Sequence, residues 1–172
     1  MARTRRLGVK PPLDPESLTE IAWAYAARYA TTEAKLRRYL AGKLRQRGWA
    51  GEAEPDLARV IAHLAEIKAV DDQAFAEAKA SAMARRGLGA RRVRGALAAA
   101  GVAEEISAEL DAGDPRAAAE AYARRRRLGC HREQPGAPDQ QRRDLAAMLR
   151  AGHSWADAKA ALGGVDVDPP ED

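Results

Sequence analysis

The sequence predicts an all-α fold in which one three-helix unit occurs three times in tandem. Three helix ends look alike, because each places a large apolar residue four positions before a glycine, at Gly48, Gly101 and Gly152. These glycines are 53 and then 51 residues apart, which leaves room for three short helices and their loops. Alanine, the best helix former, supplies more than half of the hydrophobic residues. A repeated helical unit favours a binding surface over an enzyme with one deep pocket.

The first repeat is predicted over residues 14–69. It follows a basic tail, residues 1–13, which we expect to be disordered and held away from the fold by two adjacent prolines. The first helix is expected from about Ser17 to Tyr29. Apolar residues at helical spacing predict the buried faces of the three helices. These faces are Leu18, Ile21, Ala22, Tyr25 and Tyr29; Leu36, Leu40 and Leu44; and Leu57, Val60, Ile61, Leu64 and Ile67.

Residues with strong positional preferences mark the ends of these helices. Thr31 or Thr32 is expected to cap the second helix, which ends at Gly48. Pro55 is expected in the first turn of the third helix, where its missing N–H group costs no hydrogen bond.

The second repeat is predicted over residues 70–112. Asp71 is expected to cap its first helix, and Asp72 lies in the first turn, where the helix dipole favours a negative charge. Val70 and Phe75 then occupy the two positions of a hydrophobic staple. The segment Gly87-Leu88-Gly89 should separate this helix from the next, and a short third helix is expected over about 103–110. The predicted buried residues of the second helix are Val93, Ala96, Leu97 and Ala100.

The third repeat is predicted over residues 113–163. Asp114 should cap its first helix, with Pro115 at the first helical position. Residues 134–138 are rich in proline and glycine and predict a loop. The next helix, about 139–151, should turn Leu145, Met148 and Leu149 inward, and Ser154 with Asp157 should form the capping box of the last helix. Residues 164–172 are expected to be an acidic, frayed tail.

Composition restricts the cellular compartment in which the protein is expected. The single cysteine, Cys130, excludes an internal disulfide and is typical of a reducing compartment. No apolar run approaches the roughly twenty residues that a membrane-spanning helix needs. We therefore expect a cytoplasmic protein without a membrane partner.

The histidines and paired carboxylates, which could act in catalysis or bind a metal, do not form a catalytic or metal-binding pattern. The three histidines, His63, His131 and His153, fall in different repeats and lack metal-ligand spacing. The adjacent carboxylates Asp71 and Asp72 stand at a helix start, where capping explains them better than metal binding does. We therefore predict no catalytic residue, no metal and no cofactor.

Basic clusters are the better candidates for a binding site. The net charge is only +4, but each repeat contains one cluster, which favours an acidic protein groove or a phosphate backbone as partner. Two plainer explanations remain, namely solvated helix faces and the arginine enrichment of a GC-rich genome. The candidate residues are Arg37, Arg38 and Lys43; Arg85, Arg86, Arg91, Arg92 and Arg94; and Arg124, Arg125, Arg126 and Arg127.

One stretch resembles a known family. Val70, Asp71-Asp72 and Phe75-Ala76 follow a helix end in the order that is typical of the RecX family of recombinase regulators. The family's order continues through Arg85-Arg86-Gly87 and Gly89 to Val93, Leu97, Gly101 and Val102, and the likeness covers about residues 17–163. The chain departs from the family at Lys68, where a glycine is common.

The resemblance implies both a shape and a partner. It implies helix-turn-helix-like units that form an elongated, curved molecule, which we expect to be monomeric. It also implies binding in the helical groove of the RecA filament on DNA. There the family inhibits ATP hydrolysis, strand exchange and co-protease activity, so that recombination and the SOS response are damped. Binding to single- or double-stranded DNA is a further property that it implies.

Two other functions remain open at this stage. Three-helix units with a basic second helix are similar to helix-turn-helix modules, so the protein could act directly on DNA. It could also be a helical-repeat scaffold for another protein. Salt dependence on naked DNA distinguishes the first alternative, and capture of partners with and without nuclease distinguishes the second.

Overall fold

The computed structural model describes residues 10–110, 113–134 and 136–164 of the chain. These ranges contain nine α-helices and no β-strand, apart from an isolated bridge between Leu13 and Trp49. The helices are α1 (Pro15–Arg28), α2 (Glu33–Arg47), α3 (Leu57–Glu66), α4 (Asp72–Arg85), α5 (Ala90–Ala100), α6 (Glu104–Glu109), α7 (Pro115–Arg126), α8 (Pro138–Arg150) and α9 (Trp155–Ala161). The predicted all-α class is confirmed.

The chain divides into two compact units, with the boundary between Asp72 and Gln73. The first unit contains α1–α3, and the second contains most of α4 together with α5–α9. Along the described residues the helices follow one another as three groups of three, namely α1–α3, α4–α6 and α7–α9. The repeat boundaries at 69/70 and 112/113 stay predictions, as do the disordered tail over residues 1–9 and the acidic tail beyond residue 164, which lie outside the described residues.

Leucine and isoleucine side chains fill the core of the first unit. Its fully buried residues are Leu13, Leu18, Ala22, Leu36, Leu40, Ile61, Leu64 and Val70. Leu13 corrects the expected end of the N-terminal tail, because it is 0% exposed. Its N–H group donates to the Gly48 carbonyl at 3.0 Å, and its own carbonyl accepts from the Ala50 N–H at 2.8 Å. The segment after the prolines is thus tied to the end of α2.

Helix ends account for the other differences in this unit. Pro55 was expected in the first turn of α3 but precedes it, because Asp56 caps the helix by accepting from the Arg59 N–H and the helix begins at Leu57. Asp14 caps α1 and forms a capping box with Ser17, so the helix begins two residues earlier than predicted. Tyr29 and Ile67 were expected in the core but are 49% and 44% exposed. Both are C-cap residues, at which the backbone leaves the helical conformation. The 3.6-residue period therefore no longer determines where their side chains point.

Small side chains dominate the two cores of the second unit. Ala76, Leu97, Ala100 and Val102 form one cluster, against which Phe75 packs. The other is built on α7, α8 and α9, and its buried residues are Ala119, Ala123, Leu145, Met148, Ala158, Ala161 and Leu162. Alanine-lined helices can approach closely, so these cores are thin, as the composition predicts.

The Asp71-Asp72 motif has a structural role that reaches beyond its own helix. Asp72 Oδ1 accepts a hydrogen bond from the Glu33 N–H at 2.9 Å and so satisfies a free donor at the start of α2. Asp71 lies 3.3 Å from the Lys68 ammonium. Val70 belongs to the first core and Phe75 packs against a core of the second unit. Direct contact between these two side chains stays a prediction.

Two glycines bring the second and third groups of helices into backbone contact within the second unit. The Gly89 N–H donates to the Ala151 carbonyl at 2.9 Å. A Cβ atom at Gly89 would lie 2.3 Å from the Gly152 carbonyl oxygen, and one at Gly152 would lie 2.4 Å from the Arg92 nitrogen. Only glycine permits this approach. Gly152 therefore does more than end α8 with its positive φ of 95°.

Candidate functional site

A groove with basic walls runs through the second unit. It is lined by α4, α5, α7 and α8 and encloses about 1210 Å³. Its basic residues are Lys79, Arg86, Arg91, Arg92, Arg126 and Arg150, and we call it the cationic groove. Its apolar floor includes Met83, Leu88, Tyr122, Leu128 and Leu149. None of the described residues that line it is acidic.

Local backbone features place these cations around one space. Lys79, Met83 and Arg86 follow one another at helical spacing along and just beyond α4, so they share a face. At Gly87 the chain turns with a φ of 65°, and a Cβ atom there would lie 3.2 Å from the Tyr122 nitrogen. The chain after Arg86 therefore passes directly over α7.

The remaining cations come from helix termini. Arg91 and Arg92 lie in the first turn of α5, which the Gly89–Gly152 contact holds against the end of α8. Arg126 and Arg150 are the last residues of α7 and α8. Positive side chains in a last turn also interact favourably with the helix dipole. Helix ends therefore stabilise the fold and supply the groove with charge at the same time.

At least half of the groove cations are available for a partner. Arg86, Arg92 and Arg150 are exposed, and no ion pair involves them within the described part of the chain. The Arg91 guanidinium reaches the Leu149 carbonyl at 3.4 Å, and that of Arg126 lies 5.8 Å from the Tyr122 ring centroid. Uncompensated cations over an apolar floor create a positive potential that attracts anions.

The groove can hold carboxylates or phosphates. A guanidinium group donates two parallel hydrogen bonds to either anion, which fixes orientation as well as adding energy. The apolar floor can receive a hydrophobic side chain or the face of a base. The arrangement therefore suits an extended, negatively charged segment of a macromolecule.

The structure brings together only part of the predicted basic set. Arg85 donates to Ser81 Oγ at 2.8 Å, and Arg125 donates to the Arg85 carbonyl at 3.0 Å. Arg94 lines a separate pocket with Trp155. The run of four arginines is divided because successive residues point to different sides of a helix.

Two members of that run have acidic neighbours, and three candidates belong to the first unit. Arg124 lies 3.3 Å from Glu120, and Arg127 lies 3.6 Å from Glu133. Arg37 and Arg38 are exposed on α2. Lys43, on the same helix, lies over the ring of Tyr39, 5.2 Å from its centroid.

Sequence reasoning missed two groove residues. Lys79 is a single lysine in an alanine-rich helix, and only its spacing from Met83 and Arg86 indicates the shared face. Arg150 lies within the repeated helix-end motif, but its neighbours in the groove come from other helices. Only the packing of α5 against α8 reveals that proximity.

His153, another polar residue of this unit, is buried among neighbouring side chains. His153 is 5% exposed, and its burial holds the pKa of the imidazole below the usual range. Its ring lies 5.5 Å from that of Tyr122.

Within the described ranges, no three metal-binding side chains come together. No helix of the described structure is long and apolar enough to cross a membrane.

Comparisons with known proteins identify similar chains. Residues 71–110 match the family described as "RecX, second three-helix domain". The chain is 32% identical over 173 residues to "Regulatory protein RecX" of Myxococcus xanthus (strain DK1622), covering 93% of this chain and 92% of that protein. It is 38% identical over 158 residues to the protein of the same name from Mycobacterium sp. (strain KMS), covering 88% and 84%.

A solved structure shares the fold. The crystal structure of RecX from Lactobacillus salivarius superimposes with a TM-score of 0.61 at 17% identity, covering 86% of this chain and 93% of that one. At this identity the likeness shows the fold alone. It agrees with the series of three-helix groups seen here.

Proposed function

The chain belongs to the RecX family of regulatory proteins, and from that premise we propose that it binds in the groove of the RecA–DNA filament and inhibits RecA. Inhibition would extend to ATP hydrolysis, strand exchange and co-protease activity. Recombination and the SOS response would be damped as a result. The relatives are named regulatory proteins, and we propose that this chain likewise acts by binding and catalyses no reaction.

The cationic groove is the observation that carries the proposal. A nucleoprotein filament presents phosphates along its DNA and carboxylates on its protein surface, and arginine binds both in a bidentate manner. Three-helix groups in series add separate weak contacts on one chain. Once one contact has formed, the others act at high effective concentration and strengthen binding. We propose that the protein acts in the cytoplasm as a monomer, without a membrane, metal or cofactor.

The test is RecA ATP hydrolysis on single-stranded DNA with the protein titrated in. We expect the triple variant Arg86→Gln, Arg92→Gln and Arg150→Gln to need at least about tenfold more protein for half inhibition, which corresponds to about 1.4 kcal/mol. These three side chains line the groove, and glutamine preserves most of their length. Circular dichroism should show unchanged helicity.

A matched triple variant separates the groove from overall charge. Arg116, Arg142 and Arg143 are exposed residues of the same unit and do not line the groove. Changing them to glutamine lowers the net charge of +4 by the same three units. Half inhibition should then shift by less than about threefold, as expected of surface charges outside a contact. Equal losses in both triples, or no loss in the groove triple, would contradict the assignment of the groove.

A second candidate function rests on α5. This helix is the second of its group, and Arg91, Arg92 and Arg94 lie at its start, as in a DNA-reading helix-turn-helix unit. A protein that acts directly on DNA should lose affinity for naked DNA steeply as salt rises. A filament regulator should instead inhibit RecA at concentrations far below its dissociation constant for naked DNA.

A further inference from the structure

Three tyrosines lie together on the first unit, where the end of α1 packs against the middle of α2. The rings of Tyr25 and Tyr39 are stacked, with centroids 4.1 Å apart and an angle of 18° between their planes. The ring of Tyr29 lies 5.1 Å from that of Tyr25. With Arg28 and Lys43 these residues form what we call the aromatic patch.

One side of the aromatic patch packs against the core of the unit, and the other side is exposed. Tyr25 and Tyr39 pack against the core of the unit, whereas Tyr29 is 49% exposed. The three rings and Arg28, together with Ile21 and Ala24 of α1, line an open surface pocket of about 370 Å³. Pockets that hold small ligands usually measure about 300 to 1,000 Å³. The core of this unit is already filled by leucine and isoleucine, so the outward position of Tyr29 is not needed for packing.

Charge around the patch restricts the ligand. The Arg28 guanidinium lies 5.5 Å from the Tyr29 centroid, and the Lys43 ammonium lies 5.2 Å from that of Tyr39. The helix that carries Tyr39 and Lys43 contains six basic residues and one acidic residue. These charges repel a cationic ligand of the kind that aromatic cages hold. An acidic peptide would match the charges but offers no flat π face to the rings.

We propose that the aromatic patch binds single-stranded DNA, with an unpaired base stacked on Tyr29 and the flanking phosphates next to Arg28 and Lys43. A base offers its flat face to an aromatic ring whatever its identity, and the adjoining phosphates supply the negative charge. Paired bases are stacked inside a duplex and cannot reach the pocket. The choice of DNA rather than RNA rests on the proposed function, whereas the stacking does not.

Two oligonucleotides of equal charge test the stacking. One is a thymidine oligonucleotide, and the other is an abasic strand with the same number of phosphates. We expect Tyr29→Ala to weaken binding to the thymidine strand by about fivefold to one hundredfold, because stacking on one ring is lost. Binding to the abasic strand should stay unchanged. Tyr29→Phe keeps the ring and should bind thymidine as the original protein does.

Three further variants or probes complete the test. Trp23→Ala removes another exposed aromatic residue from α1, on the side away from the patch, and should alter neither affinity. Lys43→Gln should weaken both strands and lower the salt slope of binding by about 0.7, the contribution of one phosphate. A uridine RNA of the same length should bind no tighter than the thymidine DNA. Melting temperatures should confirm that all variants fold.

Several results would overturn the proposal. Unchanged thymidine affinity in Tyr29→Ala, or equal loss on both strands, would mean that no base stacks on the patch. RNA binding more than about tenfold tighter would overturn the assignment to DNA. These measurements use naked strands without RecA, so they do not depend on the ATPase result. A failure of stacking is therefore distinguishable from a failure of filament inhibition.

Discussion

Asp144 is only 3% exposed, yet its carboxylate is surrounded by hydrogen-bond donors. It accepts from the Arg132 guanidinium at 2.6 and 2.9 Å, from the Gly129 N–H at 2.9 Å and from Gln140 at 2.9 Å. Burial alone raises the pKa of Asp144, but these donors outweigh burial and hold the pKa below its usual range. The network ties the turn after α7 to α8.

This pKa predicts a contribution to stability that depends on pH. A carboxyl group with a depressed pKa in the folded protein stabilises it above the ordinary value of 3.8, and the contribution is lost as pH falls through the lower native pKa. We expect Asp144→Asn to lower the free energy of unfolding by about 3 kcal/mol at pH 7, because Arg132 loses its buried partner. The difference from the original protein should shrink below about pH 4.

Urea unfolding of both proteins between pH 3 and 7 provides the measurement. Comparing the two cancels the separate effect of His153, whose lowered pKa in the folded state destabilises both proteins as pH falls below the ordinary histidine value of 6.5. Asp139→Asn is the control, since its ion pair with Arg142 is exposed and should be worth less than about 1 kcal/mol. A constant difference at all pH values would show that the charge of Asp144 is not the source of its effect.

Single residues also show how far sequence reasoning reaches. The position of Asp72 at a helix start was predictable from its neighbours, but its bond to Glu33 was not, since 39 residues separate the two. Lys68 has a φ of 59°, a left-handed conformation that favours glycine. That conformation gives a physical reason for the family's preference at this position. Asp144 and Arg132 give no sequence signal, because charged residues twelve apart are rarely paired.

At the scale of helices, α5 combines two glycines with opposite surroundings. Gly89 has an ordinary φ of −73°, so any residue could adopt its backbone, but a Cβ atom would meet the Gly152 backbone at 2.3 Å. Gly95 lies in the middle of the helix, and a Cβ atom there would meet nothing within 4 Å. One glycine is required by contact, whereas the other only weakens the helix.

We therefore expect opposite effects from the same substitution. Gly89→Ala should lower the free energy of unfolding by about 3 kcal/mol, because the added methyl group forces two backbones apart. Gly95→Ala should raise it by about 0.5 to 1 kcal/mol through better helix propensity. Chemical denaturation of the two variants measures both. If Gly89→Ala were neutral, α5 and α8 would not touch as described.

Helices were more predictable than their assembly. Caps such as Thr32, Asp114 and Ser154 were recognised because capping is local. The inward residues of α2, α3, α5 and α8 followed from helical periodicity. The cationic groove could not be predicted in the same way, because its walls come from four helices whose register depends on the Gly89–Gly152 contact. Periodicity describes one helix at a time.

At the scale of the whole molecule, each described core cluster draws its buried residues from only one of the two units. One cluster lies entirely before residue 73, and the other two lie entirely after it. Destabilising one core should therefore leave the other unit folded.

Tryptophan fluorescence tests the independence of the two units. Leu36 is fully buried in the first unit, and Leu36→Ala should cost about 3 kcal/mol there. A reporter that keeps only Trp49 should show the shift, while one that keeps only Trp155 should show an unchanged transition. The other tryptophans are replaced by phenylalanine in each reporter. Equal shifts in both reporters would show that the chain unfolds as one cooperative whole.

The main-chain contact between residues 89 and 152 has a consequence for how partners are selected. Because this contact between the start of α5 and the end of α8 is made by main-chain atoms, replacing exposed arginines of the groove should leave it intact. Exchange of those arginines should then change the affinity for a negatively charged partner one charge at a time. The glycine contact that holds α5 against α8 and the arginines that would bind the partner are thus different residues, so they can vary separately.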